Sequence, residues 1–191
     1  MSMSFVIACE GGKRKIAEIL LKNKEVDVQY TDEKGRTALH YAAHRGYLDI
    51  CKILIEEGAE LDYEDHTGET PFYFACLQKQ KQTALYLIEK GAKTDIKDYK
   101  GNSLLHLLAK NGQVEVMEKL LGQGMEVDLE NNEAETPLLI SAASRNRKVV
   151  ELLLDNGADI TTTDKEGNTP LLLAVKSKTL PMVELLLEKG A

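Results

Sequence analysis

One spacing constrains this chain more than anything else in it: Gly58, Gly91, Gly124, Gly157 and Gly190 recur every 33 residues without a break. The unit they close runs from Asp32 to Glu64, and shifting it by 33 gives new starts at Asp65, Asp98, Asn131 and Asp164. Gly35, Gly68, Gly101 and Gly167 follow three residues after those starts. Thr37, Thr70, Ser103, Thr136 and Thr169 come two residues later still. A fixed period near 33 predicts an array in which each unit is too small to bury its apolar face alone and does so against its neighbours.

Within the unit the local chemistry is legible. Asp32-Glu-Lys-Gly35 has the residues of a tight turn, an Asp that bonds its own backbone and a Gly free to take positive φ. Thr37 is a helix N-cap. In later copies Pro71, Pro137 and Pro170 sit at the first helical position, where a missing N–H costs nothing. Leu39, Ala42 and Ala43 form a short helix, Gly46 turns the chain, and Ile50, Ile53, Leu54 and Ile55 supply a second helix that Gly58 ends. The 43% apolar content with 5% aromatic and no Trp suits a helical core of Leu, Ile, Val and Ala. From Phe5 to about Thr31 two helices are expected without the Asp-x-x-Gly opening, as a terminal cap allows. Gly12 and Gly46 are 34 apart, so one residue is inserted near Asn23 to Val26.

The stretch GRTALHYAAHRGYLDICKILIEEGAEL, with its four shifted copies, resembles an ankyrin repeat, and the resemblance covers Phe5 to Ala191. It implies an all-α fold, a solenoid of stacked helix-turn-helix units with β-turn fingers. Its units are a cap at 5–31, repeats at 32–64, 65–97, 98–130 and 131–163, and a truncated last repeat at 164–191, in a single domain over 1–191. It also implies a role in binding another protein through the finger tips and the inner, first helices. Several residues depart from the pattern. Lys79, Arg145 and Lys178 replace the interhelix Gly, and because a left-handed non-Gly residue costs on the order of 1 kcal/mol, those turns are expected to open differently. Ala134 replaces the turn Gly, so the finger Asn131 to Glu135 is expected to be irregular. Phe72, Tyr73 and Phe74 stand where Leu-His is usual, and Leu108 takes a small-residue position. Val183, Leu186 and Leu187 are expected to lack a covering repeat. That edge either continues in a longer protein or packs on something else, a second copy included.

The resemblance gives His40 and His106 a structural role, as hydrogen-bonding struts between helix and finger. His44 and His66 fall on variable, exposed positions. No second His or Cys stands at ligand spacing, so no metal site is expected. EGGKRK at Glu10 to Lys15 lacks the full phosphate-loop pattern and reads as the turn of the cap. No HExxH, GxSxG or dinucleotide pattern is present, and an open solenoid surface is a poor place to exclude water. No catalytic residue and no cofactor are expected. At the position where some ankyrin proteins carry a hydroxylated Asn, this chain has Asp62, Asp95, Asp128 and Thr161.

The net charge of -7 argues against a general nucleic-acid or membrane-surface binder. No stretch has the length of a membrane span. Cys9, Cys51 and Cys76 form no CxxC pair and read as buried free thiols in a reducing, cytoplasmic compartment. The positions that vary between copies are where a partner is expected. These are Glu33, Lys34, Arg36, His44 and Arg45 in the first unit and His66, Glu69, Leu77 and Gln78 in the second. The third contributes Tyr99, Lys100, Asn102, Lys110 and Asn111. Taken over all units the variable positions lean basic on an acidic body, which suits a partner with an acidic or mixed-charge patch. A preference of helix C-termini for Lys and Arg accounts for the same lean. Arg36, Arg45, Leu77 and Tyr99 are the candidate anchors. The chain is thus read as a non-catalytic interaction scaffold, monomeric unless its C-terminal edge self-associates. The rival readings are an arm of a larger enzyme or effector and an inhibitor of a partner enzyme.

Overall fold

The computed structural model describes all 191 residues and is helical throughout, with twelve helices of seven to nine residues. The chain forms two compact units, Met1–Lys93 and Thr94–Ala191. In the first, α1 (Ser2–Glu10), α3 (Ala38–Arg45) and α5 (Pro71–Leu77) lie side by side as an inner layer. α2 (Arg14–Leu21), α4 (Leu48–Glu56) and α6 (Lys81–Glu89) back them. In the second, α7 (Leu104–Asn111), α9 (Pro137–Ala143) and α11 (Pro170–Lys176) form the inner layer. Behind them are α8 (Val114–Gly122), α10 (Arg147–Asp155) and α12 (Leu180–Glu188).

Helices this short are unstable alone, and each is held by caps at one end and packing along one face. Thr70, Thr136 and Thr169 accept the N–H of the third helical residue, followed in each case by Pro at the first position. Thr37 and Ser103 do the same with His40 and His106 completing a capping box. Inner helices approach closely through fully buried Ala42, Ala43, Ala75 and Cys76 in the first unit and Ala109, Ala142 and Ala174 in the second. Leu39, Phe72, Ile50 and Leu87 fill the first core, and Leu105, Leu108, Leu138, Met117 and Leu153 the second. Leu108 therefore occupies its small-residue position without being expelled.

The fingers are built by one device repeated five times. A single side-chain oxygen at the first position accepts the N–H groups two and four residues on: Asp32 takes Lys34 and Arg36, Asp65 takes Thr67 and Glu69, and Asp98 takes Lys100 and Asn102. Asn131 takes Glu133 and Glu135, and Asp164 takes Glu166 and Asn168. Successive fingers are stitched by one backbone bond, His66 N–H to the Lys34 carbonyl at 3.0 Å in the first unit and Asn132 N–H to the Lys100 carbonyl at 2.9 Å in the second. The paired fingers form no strands; one isolated bridge joins Lys97 and Ser103.

Two expectations are corrected here. Ala134 takes φ 58° and its finger closes with the same bonds as the others, so it is regular, because an amide oxygen at residue 131 accepts the two N–H groups as well as a carboxylate does. Lys79, Arg145 and Lys178 likewise keep left-handed backbone at φ 56°, 63° and 55°. Packing on both flanking helices outweighs the roughly 1 kcal/mol of strain, and Arg145 also donates from Nη2 to the Ser177 carbonyl at 3.2 Å. Gly is needed more at residue 46, where the Gln80 amide lies against the Cα, and at residue 112, where the Asn146 amide does.

At the C-terminal edge Leu187 is exposed, as its position implies, together with Leu172, Val175 and Leu180, whereas Leu186 is fully buried and Val183 half-buried. α12 packs on both α11 and α10, which buries Leu186, and α11 contributes Leu172 and Val175 to the exposed apolar face.

Candidate protein-binding surfaces

Each unit carries an open pocket on the side formed by its fingers and inner helices. In the first unit it measures about 210 Å³ and is lined by Arg36, His40, Tyr41, His44, Arg45 and Phe74, with Glu10 at its edge. Its floor is aromatic. Phe74 is buried, meets the edges of His40 and His44 at 5.7 and 6.0 Å between ring centres, and lies under the Arg36 guanidinium at 4.8 Å. Tyr41 donates its hydroxyl to Asp32; burial, then that carboxylate, raises its pKa far above the usual phenol value.

The struts beneath this pocket are histidines. His40 Nδ1 faces Thr37 Oγ1 at 2.9 Å and accepts the Thr37 N–H at 3.0 Å, so Nε2 carries the proton it donates to the Glu69 carbonyl at 2.9 Å. His106 repeats this in the second unit, with Ser103 on Nδ1 and the Glu135 carbonyl 2.7 Å from Nε2. Both rings are 1% exposed, and burial lowers the pKa of each despite the carbonyl bond that favours the charged form. Both are the struts expected from their positions.

The expected contact residues divide by what already holds them. Arg36 is committed: its Nε donates to Asp65 Oδ2 at 3.1 Å, with Glu69 4.0 Å from its Nη2. It ties one finger to the next. Asp65 is pushed up by burial, but bonds from the Thr67 hydroxyl, the Glu69 N–H and Arg36 outweigh that and hold its carboxyl below the usual range. Arg45 is exposed and spends one Nη2 bond on the Glu10 carbonyl at 2.7 Å. His44 is half-buried rather than exposed, because Phe74 takes one edge of its ring. Its pKa is lowered by burial first, then by the neighbouring Arg45 and Arg36 charges. His66 is exposed and lies across Gly35, where no Cβ would fit. Glu33, Lys34 and Gln78 are exposed; Glu69 and Leu77 are half-buried.

In the second unit a larger groove of about 620 Å³ is lined by Tyr99, Lys100, Asn102, Lys110, Ile140 and Ala143, among others. Tyr99 is 87% exposed, and Lys100 Nζ lies 5.7 Å from its ring centre. Asn111 is half-buried at the end of α7. Sequence reasoning brought Tyr99, Lys100, Asn102 and Lys110 to this surface but missed its floor. Tyr41, Phe74 and Ile140 sit at one repeat position on the inner helices, and large side chains recurring there at multiples of 33 were the available signal.

A family model for ankyrin repeats in three copies matches residues 5–98 and 105–191. The chain belongs to the ankyrin-repeat family. Segments of three curated proteins align with parts of it. Palmitoyltransferase akr1 of Schizosaccharomyces pombe is 40% identical over 58 residues, which is 30% of this chain and 9% of that protein. Delta-latroinsectotoxin-Lt1a of Latrodectus tredecimguttatus is 35% identical over 60 residues, 31% of this chain and 5% of the toxin. Acyl-CoA-binding domain-containing protein 6 of Rattus norvegicus is 47% identical over 36 residues, 19% of this chain and 13% of that protein. The aligned segments thus span a small part of each relative's length. Among solved structures, a chain from the complex of the Bdellovibrio bacteriovorus predatory endopeptidase Bd0816 with the immunity protein Bd3460 superposes with a TM-score of 0.86. It is 28% identical, and the match covers 97% of both chains.

Proposed function

We propose that this ankyrin protein is a non-catalytic scaffold that binds a partner protein through the finger tips and inner helices. The observation that carries this reading is the division of labour within each unit. Recurring Asp, Thr, His and Gly residues are consumed in building fingers and caps, while Arg45 and His44 in the first unit and Tyr99, Lys100 and Lys110 in the second present side chains to open pockets. The partner offers an acidic or mixed-charge patch, attracted by these basic groups on a chain of net charge -7. Three free cysteines, all buried and each with burial raising its pKa to about 12, suit a reducing cytoplasmic compartment.

Capture of a partner from the native organism with the intact chain as bait, followed by single substitutions, tests the reading. Arg45→Ala and Tyr99→Ala are each expected to weaken the captured complex by about 1 kcal/mol or more, roughly five-fold in Kd. Full affinity in both variants would move the interface elsewhere.

A second reading, an inhibitor of a partner enzyme, is favoured by the likeness over nearly the whole chain to a structure of an endopeptidase with its immunity protein. Titrating the chain into a captured enzyme partner decides it: inhibition saturating at one equivalent supports the reading, and unchanged turnover at saturation removes it.

A further inference from the structure

We propose that the groove of the second unit receives an acidic side chain carried on a short apolar segment of the partner, with the Lys110 ammonium as its counter-ion. This rests on the protein-binding reading above and names what that site recognises.

The argument starts from a comparison of equivalent side chains within the unit. Lys176 lies 66 residues after Lys110, at the same place near the end of an inner helix, and its Nζ donates to Asn168 Oδ1 at 2.6 Å. Asn102 is the counterpart of Asn168. Each sends its Nδ2 to the second oxygen of its opening aspartate at 3.0 Å, Asn102 to Asp98 and Asn168 to Asp164. Lys110 nevertheless makes no hydrogen bond or ion pair with the protein, and where Asn168 Oδ1 accepts from its lysine, Asn102 Oδ1 accepts from Asn131 Nδ2 at 2.9 Å. That bond depends on one departure from the repeat. Every other unit opens with Asp, which has no donor to offer; only the unit at 131 opens with Asn. In the first unit the equivalent link is an ion pair running the other way, Arg36 Nε to Asp65 Oδ2. The neutral link at 102–131 therefore leaves a cation unclaimed.

The remaining charges of the groove agree. Lys100 has only the Tyr99 ring as a neighbour, at 5.7 Å. The two carboxylates nearby are already answered, Glu133 by Lys165 Nζ at 3.7 Å and Glu135 by Asn131 Nδ2 at 3.1 Å. Both carboxylates have polar partners, whereas Lys110 has none and Lys100 meets only a neutral ring, so the groove complements an incoming anion. Ile140 and Ala143 line it apolarly, and a volume of about 620 Å³ takes several side chains rather than a lone ion. The fitting occupant is a segment with Glu or Asp beside Leu-like residues.

The probes are labelled short peptides with glutamate between leucines, and copies with glutamine in its place, titrated into the intact chain by fluorescence anisotropy. The glutamate peptides are expected to bind at least about five-fold tighter than their glutamine copies at about 50 mM salt, with the advantage shrinking at about 0.5 M. Lys110→Ala should abolish the discrimination. Asn131→Asp should reduce it as strongly, since it places a carboxylate by Lys110 and frees the Asn102 carbonyl. Lys119→Ala, at an exposed position of the outer helix α8, should leave it intact, and circular dichroism should show all three variants folded. Equal binding of the two peptide sets, discrimination that survives Lys110→Ala, or no peptide binding at all overturns the proposal. If a captured partner protein still binds in any of these cases, the broader reading stands without it.

Discussion

At the scale of single residues, position in the repeat did not decide which side chains are free. Arg36 and Arg45 are both variable, exposed-looking arginines in the sequence, yet Arg36 closes an ion pair on an Asp65 side chain that is 1% exposed, while Arg45 keeps most of its donors. Arg36→Ala is accordingly expected to act on stability before binding. It strips a buried carboxylate of its one cation, at a cost of about 2 kcal/mol, read as a lower urea midpoint. An unchanged midpoint would show that Thr67 and Glu69 suffice for Asp65. The two strut histidines give a pH signature. Burial depresses their folded pKa below the ordinary value of 6.5, so the unfolded chain takes up protons first as pH falls. Their contribution is whole above about pH 6.5 and is lost as pH drops through the depressed folded values. Chemical denaturation between pH 7 and pH 5 should show stability falling, and the double variant His40→Asn with His106→Asn should be less stable at pH 7 but flatter over that range. An equally steep fall in the double variant would assign the effect to other groups.

At the scale of elements, the helices follow from local rules, since Thr or Ser caps, Pro at the first position and Leu spacing sit where the helices begin and pack. The turns followed the repeat's geometry over residue preference. Lys178 at φ 55° and Ala134 at φ 58° hold conformations that Gly adopts more freely, because the helices and fingers on either side are already placed by burial. Lys178→Gly and Ala134→Gly are each predicted to stabilise the protein by about 0.5–1 kcal/mol, relief of left-handed strain exceeding the added freedom of the unfolded chain. Thermal melts check this, and a lower Tm in both would mean that the strain is negligible. Expecting those turns to open was an error of scale: one strained residue was weighed without the two elements it joins.

At the scale of the whole molecule, periodicity alone specified the repeat architecture, because an array of identical small units leaves few ways to bury Leu39, Leu105 or Leu138 other than against the next copy. The contact residues were legible as the places where copies disagree, which is a statement about what the scaffold does not need. Their chemical state was not legible. Whether Lys110 is spent as Lys176 is, or open, turns on an amide from Asn131, 29 residues from the Asn102 it claims. Whether His44 is exposed turns on Phe74. Backbone preference is local and repeats with the sequence, so the sequence by itself determined the helices, the fingers and their order. Competition among side chains for a shared hydrogen-bond acceptor or ring face is settled only by distances between neighbouring repeats. Those contacts, made in the tertiary structure, decided which groups are left for a partner.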